Sequence, residues 1–298
     1  MSAYDGLAGF GLAGHDFFQE PATVLDLTRR LGIRHLDFWH HNRGELSPTA
    51  YAELMASYDV AAYTVNIDTS NGRFGGVDIG AAGAAFNVAL EEAVAFGARY
   101  LQIYLAPPGT DRVADRVALL ADSLRPYAER AAESGVLTVI ENNFDHRVED
   151  PRAENVARSA AVLMEVVDAL GPELLGLTYD PANTAACGTD VLTELEALRP
   201  AMVNLHIKDC LPLGAPPPHG HHRLMEDGER STRVATPVGA GTVPWAELLG
   251  ALGDFSGWLT LDPFTDSEHV YAWCQASLMY LDEAFGLDPQ LVGPEIVR

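Results

Sequence analysis

With 298 residues, 48% of them hydrophobic, the chain can bury a large core, and its length is ordinary for one α/β barrel. A formal charge of −23 repels phosphate backbones and no basic strip offsets it, which argues against nucleic acid as a partner. No run of about eighteen apolar residues occurs, and Met1 to Asp5 lacks the basic and apolar regions of a signal peptide, so a soluble, cytoplasmic protein without membrane association is expected.

In chain order, short apolar or β-branched runs alternate with amphipathic stretches. The expected strands cover 9–12, 35–39, 61–67, 100–105, 136–140, 174–179, 202–205 and 258–261. The expected helices cover 21–31, 48–58, 80–96, 114–134, 153–170, 191–198, 245–252 and 269–285. Ser47 followed by Pro48 supplies an N-cap and a first-turn proline, Gly32 and Gly97 fall where a helix C-cap wants a left-handed residue, and Gly135 opens a strand. Eight such units, with neither a GxGxxG nor a GxxxxGK(S/T) sequence, favour a closed (β/α)8 TIM barrel in one domain over 1–298 rather than an open doubly wound sheet. The longest interruption, 211–237, contains Pro216 to Pro218 and the histidines His219, His221 and His222. It is expected to be a lid on the active-site face, with those histidines solvated rather than metal-bound. Cys187, Cys210 and Cys274 are too scattered for a disulfide scaffold and read as free buried thiols.

Polar residues close the last four apolar runs: Glu141, Asp180, His206 and Asp262. On neighbouring parallel strands these positions share one edge and face a common pocket. A buried carboxylate or imidazole is costly unless it is paired, hydrogen-bonded or metal-bound. One of them alone would be a capped or salt-bridged strand end. Three carboxylates beside an imidazole call for a compensating cation. The mixed oxygen and nitrogen donors suit Mn²⁺, with Mg²⁺, Co²⁺ or Zn²⁺ as competitors.

Further candidates surround this set. Lys208 alternates to the same side as His206, where it can hold a substrate oxygen, neutralise the carboxylates or pair with Asp209. Asn143 and Asn183 lie just beyond two of the candidates and can bond substrate hydroxyls or fix their own loops. His15, His40 and His41 follow the first two strands and either reach the barrel mouth or remain loop histidines. Trp39, Tyr104 and Phe264 sit at strand ends, where they can wall a sugar pocket or pack in the core.

These segments resemble the xylose-isomerase-like sugar phosphate isomerase/epimerase family. Val139-Ile140-Glu141-Asn142-Asn143 surrounds the first candidate, and Tyr179-Asp180-Pro181-Ala182-Asn183 looks like the family's D-x-x-N/H turn. Leu205-His206-Ile207-Lys208-Asp209 is similar to its H-x-K-D segment, and 237–245 is similar to its G-x-G-x-(V/I)-x-W turn. The likeness spans the barrel, with specific motifs from Glu141 onward. It implies a divalent-metal-dependent isomerase or epimerase acting on a small polyhydroxylated carbonyl compound, a sugar or cyclic polyol, through a metal-stabilised enediolate. Glu141 and Asp262 would then move protons on opposite faces of the substrate carbon. Family members usually carry Glu on the eighth strand. Asp262, one methylene shorter, would either draw the ion closer or bind it through a water. The alternatives that the resemblance offers are a metal-dependent lyase of inosose-dehydratase or C-glycoside-cleaving type, and a barrel with a structural metal acting as a partner subunit. A homo-oligomer or a second subunit is a further expectation from the family. Its DNA-gripping endonuclease IV branch is disfavoured by the acidic charge.

Overall fold

Alternation of strand and helix brings every strand back parallel to the last, and the sheet has enough strands to close on itself. The computed structural model describes residues 6–14, 20–68, 73–74, 79–105, 113–143, 156–214 and 233–288. The first half runs β1 (Gly9–Ala13), α1 (Pro21–Arg30), β2 (His35–Trp39), α2 (Pro48–Ser57), β3 (Ala61–Asn66), α3 (Ile79–Phe96), β4 (Tyr100–Ile103) and α4 (Val113–Glu133). There follow β5 (Leu137–Glu141), α5 (Ala160–Leu170), β6 (Leu175–Tyr179), α6 (Pro181–Ala186), α7 (Val191–Leu198), β7 (Met202–Ile207), β8 (Asp209–Pro212) and β9 (Arg233–Thr236). The chain then forms α8 (Trp245–Ala251), β10 (Trp258–Leu261) and α9 (Val270–Phe285). The closed barrel has the order β1-β10-β7-β6-β5-β4-β3-β2, so all eight expected strands are its staves.

Local chemistry accounts for the element ends. The Ser47 hydroxyl accepts a hydrogen bond from the Ala50 amide at 3.2 Å, capping α2, and Pro48 occupies its first turn. Gly97 ends α3 with φ +68°. Helix α5 is shorter than the expected 153–170, because a 3₁₀ turn (Val156–Arg158) precedes Ser159 at its N-cap. The expected turn after Asp180 is instead the short helix α6, started by that aspartate and by Pro181 at its first position.

The barrel interior is layered. On β7, Asn204, His206 and then Lys208 just beyond the strand project to the same side at alternate positions. Asn204 accepts a 2.7 Å hydrogen bond from Thr260, which also bonds the Tyr63 hydroxyl, and Tyr63 stacks on Trp258 with centroids 4.0 Å apart. Gly11 on β1 leaves room for this group, since a Cβ there would lie 2.4 Å from the Tyr63 ring. The deeper layer is thus filled, and polar residues of the next layers collect at the C-terminal edge.

Within the expected lid, 211–237, residues 211–212 and 233–236 belong to a small sheet. β8 and β9 pair antiparallel, with Asp209 opposite Thr236 and Pro212 opposite Arg233. Pro216 to Pro218, His219, His221 and His222 lie outside the described residues. Asp209 anchors the hairpin: its Oδ1 accepts from the Cys210 and Val243 amides at 2.8 and 3.0 Å, and its Oδ2 from Gly239, Gly241 and the Trp245 indole at 3.0 to 3.2 Å. The carboxylate is buried, so it replaces water with five donors. Among the described residues no helix is long and apolar enough to cross a membrane.

Candidate metal centre

Glu141 at the end of β5, Asp180 after β6, His206 on β7 and Asp262 after β10 converge, each offering one ligand atom, with these atoms all within 4.8 Å of one another. Asp180, His206 and Asp262 are buried, and the Glu141 side chain is 10% exposed. His206 Nδ1 lies 3.2 Å from Glu141 Oε1 and 3.6 Å from Asp262 Oδ2. Neither ring nitrogen makes a well-directed hydrogen bond among the described residues.

Each side chain is held by its neighbours. Glu141 accepts from Asn183 Nδ2 at 3.2 Å on one oxygen and from Gln102 Nε2 at 3.1 Å on the other. Asp180 caps α6, with Oδ1 accepting from the Ala182 and Asn183 amides at 2.8 and 3.0 Å. Its other oxygen faces Lys208 Nζ at 2.9 Å, and the same ammonium lies 3.1 Å from Asp262 Oδ2 and 4.8 Å above the Phe264 ring. Asn142 ties β5 to β6: its Oδ1 accepts from the Asp180 amide at 2.5 Å while its Nδ2 donates to the Asp180 carbonyl at 2.9 Å. Asn142, Gln102 and Asp37 are site residues that strand-end reasoning missed. A polar side chain within an apolar run was the available signal.

Charge balance tests whether a cation fits. Among the described residues, four carboxylates, those of Asp37, Glu141, Asp180 and Asp262, share this space with a single lysine ammonium. Burial pushes the Asp180 carboxyl up to about 6 even though Lys208 pulls it down. Burial alone would lower the His206 pKa, but the Glu141 charge and the contacts with Asp262 and Asp37 outweigh it, so the imidazole is held well above its ordinary value. The cluster carries more negative than positive charge among the described residues. A divalent ion would supply the missing positive charge while leaving the imidazole neutral, and the oxygen-rich donor set with one nitrogen suits a hard or borderline metal. Mn²⁺ at about a hundred times its Kd is expected to stabilise the fold by about 2.7 kcal/mol. Thermal unfolding should therefore rise by several degrees with Mn²⁺, reversibly with a chelator and not in His206→Ala; an unshifted wild type would remove the metal centre.

The other candidates are placed as follows. Asn183 bonds Glu141 and the Asn142 carbonyl, so it fixes a candidate ligand, while the Asn143 amide bonds the Ala157 carbonyl. Trp39 packs against Tyr104 with centroids 5.6 Å apart. His40 Nδ1 lies 2.8 Å from the buried Glu92 of α3, which Arg43 also grips at 2.6 Å, and His41 stands 3.9 Å from Asp68. His15 lies outside the described residues. Asp262, despite its shorter side chain, brings an oxygen into the cluster.

A profile of the xylose isomerase-like TIM barrel family matches residues 25–284. Among solved structures, a D-tagatose 3-epimerase-like protein has 14% identity and a TM-score of 0.71, covering 93% of this chain and 98% of that one. The probable 3-DHS dehydratase AsbF involved in petrobactin synthesis from Bacillus anthracis has 13% identity and a TM-score of 0.69, covering 92% and 98%. The IOLI protein, solved with a zinc atom, also has 13% identity and a TM-score of 0.69, covering 93% and 98%. At such identities these likenesses show the fold alone. A search of curated protein sequences gives no match. The barrel, the strand-end cluster and a family match over most of the sequence agree: this chain belongs to the xylose isomerase-like TIM barrel family.

Proposed function

We propose that the protein is a divalent-metal-dependent isomerase or epimerase of a small polyhydroxylated carbonyl compound, a sugar or cyclic polyol. The observation that carries this reading is the convergence of Glu141, Asp180, His206 and Asp262 at the C-terminal barrel edge, where barrel enzymes place their chemistry. These four residues would hold the ion, with Mn²⁺ the first choice. When bound, it supplies Lewis acidity that eases loss of a proton beside a carbonyl.

The protein's residues do the rest. Glu141 is the proton acceptor: Asn183 and Gln102 fix both of its oxygens, so its reach is set before substrate arrives. Asp262 serves the opposite face of the substrate carbon. Lys208, fully charged between Asp180 and Asp262, holds a developing negative oxygen. Trp39 and Tyr104 would form a wall, with Asn143 and His40 bonding substrate hydroxyls, a role proposed for His15 from its sequence position alone.

Elimination of water is the second reading, favoured by the Asp262 side chain, which is one methylene short of the family's glutamate and 3.1 Å from Lys208. A carboxylate so engaged is poorly placed to deliver a proton to the second face, and a one-sided site suits a lyase. A dehydratase among the similar structures is in keeping with it. The test is solvent exchange: sugars and inososes incubated with the protein and Mn²⁺ in deuterated buffer, read by mass spectrometry. Deuterium uptake with the carbon skeleton intact supports isomerisation or epimerisation, loss of water supports the lyase, and no exchange across the panel overturns both.

A further inference from the structure

We propose that Asp37 on β2 orients His206 for the metal: Asp37 Oδ2 accepts a hydrogen bond from Nε2–H and so leaves Nδ1 as the lone-pair donor. This rests on the metal-centre reading above. The ring's two nitrogens face different surroundings. Nδ1 looks at Glu141 Oε1 and Asp262 Oδ2, whereas Nε2 looks at Asp37 Oδ2 at 3.6 Å. Both Asp37 Oδ2 and His206 Nε2 are buried and neither has a hydrogen-bond partner within normal distance among the described residues, so each is left facing the other across 3.6 Å. A neutral imidazole carries one proton, and the nitrogen that holds it cannot bind a metal. A carboxylate on the far side of the ring decides which nitrogen that is.

Asp37 is itself held so that only one of its oxygens is free for this role. Asn66 Nδ2 donates to Asp37 Oδ1 and to the Phe38 carbonyl at 3.0 Å, while Asn66 Oδ1 accepts from the Tyr104 hydroxyl at 2.9 Å. The Tyr104 oxygen accepts in turn from Gln102 Nε2 at 2.9 Å, and Gln102 also donates to Glu141. The orientation of the Asn66 amide is therefore fixed from both ends. It presents its NH₂ to Asp37.

That direction gives Asp37→Asn an unusual consequence. The new amide must turn its oxygen to the Asn66 NH₂, which leaves its own NH₂ against His206 Nε2. The imidazole proton is then driven to Nδ1, the nitrogen needed by the metal. Mn²⁺ affinity, measured by calorimetry at one pH, is expected to fall by about 10- to 100-fold in Asp37→Asn relative to wild type. Nitrogen-15 NMR of the zinc-loaded wild type supplies the readout that a merely structural role would not move: His206 should be protonated at Nε2 and metal-bound at Nδ1. Should the variant fail to fold, that spectrum decides alone. Zinc at Nε2, or a folded variant binding Mn²⁺ within about twofold of wild type, overturns the proposal and leaves the metal centre standing. A wild type that binds no Mn²⁺ removes both.

Discussion

Glu141→Gln is expected to slow proton exchange on the substrate carbon by about a thousandfold, the middle of the range for a lost general base. The substitution keeps the side chain's shape and one oxygen, so the bond from Asn183 or that from Gln102 can persist while the basic site is gone. The two readings of the ion separate here. In an enzyme, the metal-free variant should melt within about 3 °C of the metal-free wild type, a change of ~1 kcal/mol, because the strands and core do not depend on that charge. If the ion were only structural, the variant would instead lose its stability with Mn²⁺ present and there would be no turnover to lose. Undiminished exchange by Glu141→Gln would assign the proton transfer to another residue.

Asp209→Ala is expected to give the largest loss of stability. It strips the acceptor from four backbone amides and the Trp245 indole, of which the Cys210, Val243 and Trp245 donors are buried. A buried donor left unsatisfied costs ~1 to 3 kcal/mol, so three of them cost about 3 to 9 kcal/mol and Tm should fall by about 10 °C or more. Asparagine is not a remedy, since its NH₂ would face either two or three of the same donors. Gly241 belongs to the same arrangement: a Cβ there would lie 1.9 Å from Asp209 Oδ1, so the turn and the carboxylate require each other. A Tm for Asp209→Ala within about 2 °C of wild type would show that the hairpin does not depend on this anchor.

The barrel and its strand-end cluster were legible in the sequence for a simple reason. Strands buried on both faces read as continuous apolar runs, and a charged residue at the end of such a run stands out. Glu141, Asp180, His206 and Asp262 were all visible in that way, and the structure gathers them. Asp37 was not, because it sits within β2 and points inward. Its partner His206 is about 170 residues away in sequence, and only barrel closure brings β2 and β7 to face each other. The strands β8 and β9 were hidden because long-range antiparallel pairing leaves little local trace when the connection is long. Asn183 was read as a contact for hydroxyls or a residue fixing its own loop, and its bond to Glu141 follows from α6, a helix of one or two turns too short to show a period.

The ladder of Asn204, His206 and Lys208 along β7 has an evolutionary corollary. Asn204 and His206 of this stave and Lys208 just beyond it furnish three consecutive storeys, so inserting or deleting a single residue ahead of Asn204 would swing all three outward together. Point substitutions can retune this protein one storey at a time, whereas a frame change in β7 would empty the filled lower layer and the strand-end cluster at once. Divergence in this lineage should therefore accumulate as exchanged side chains along β7, with length variation confined to the loops between staves.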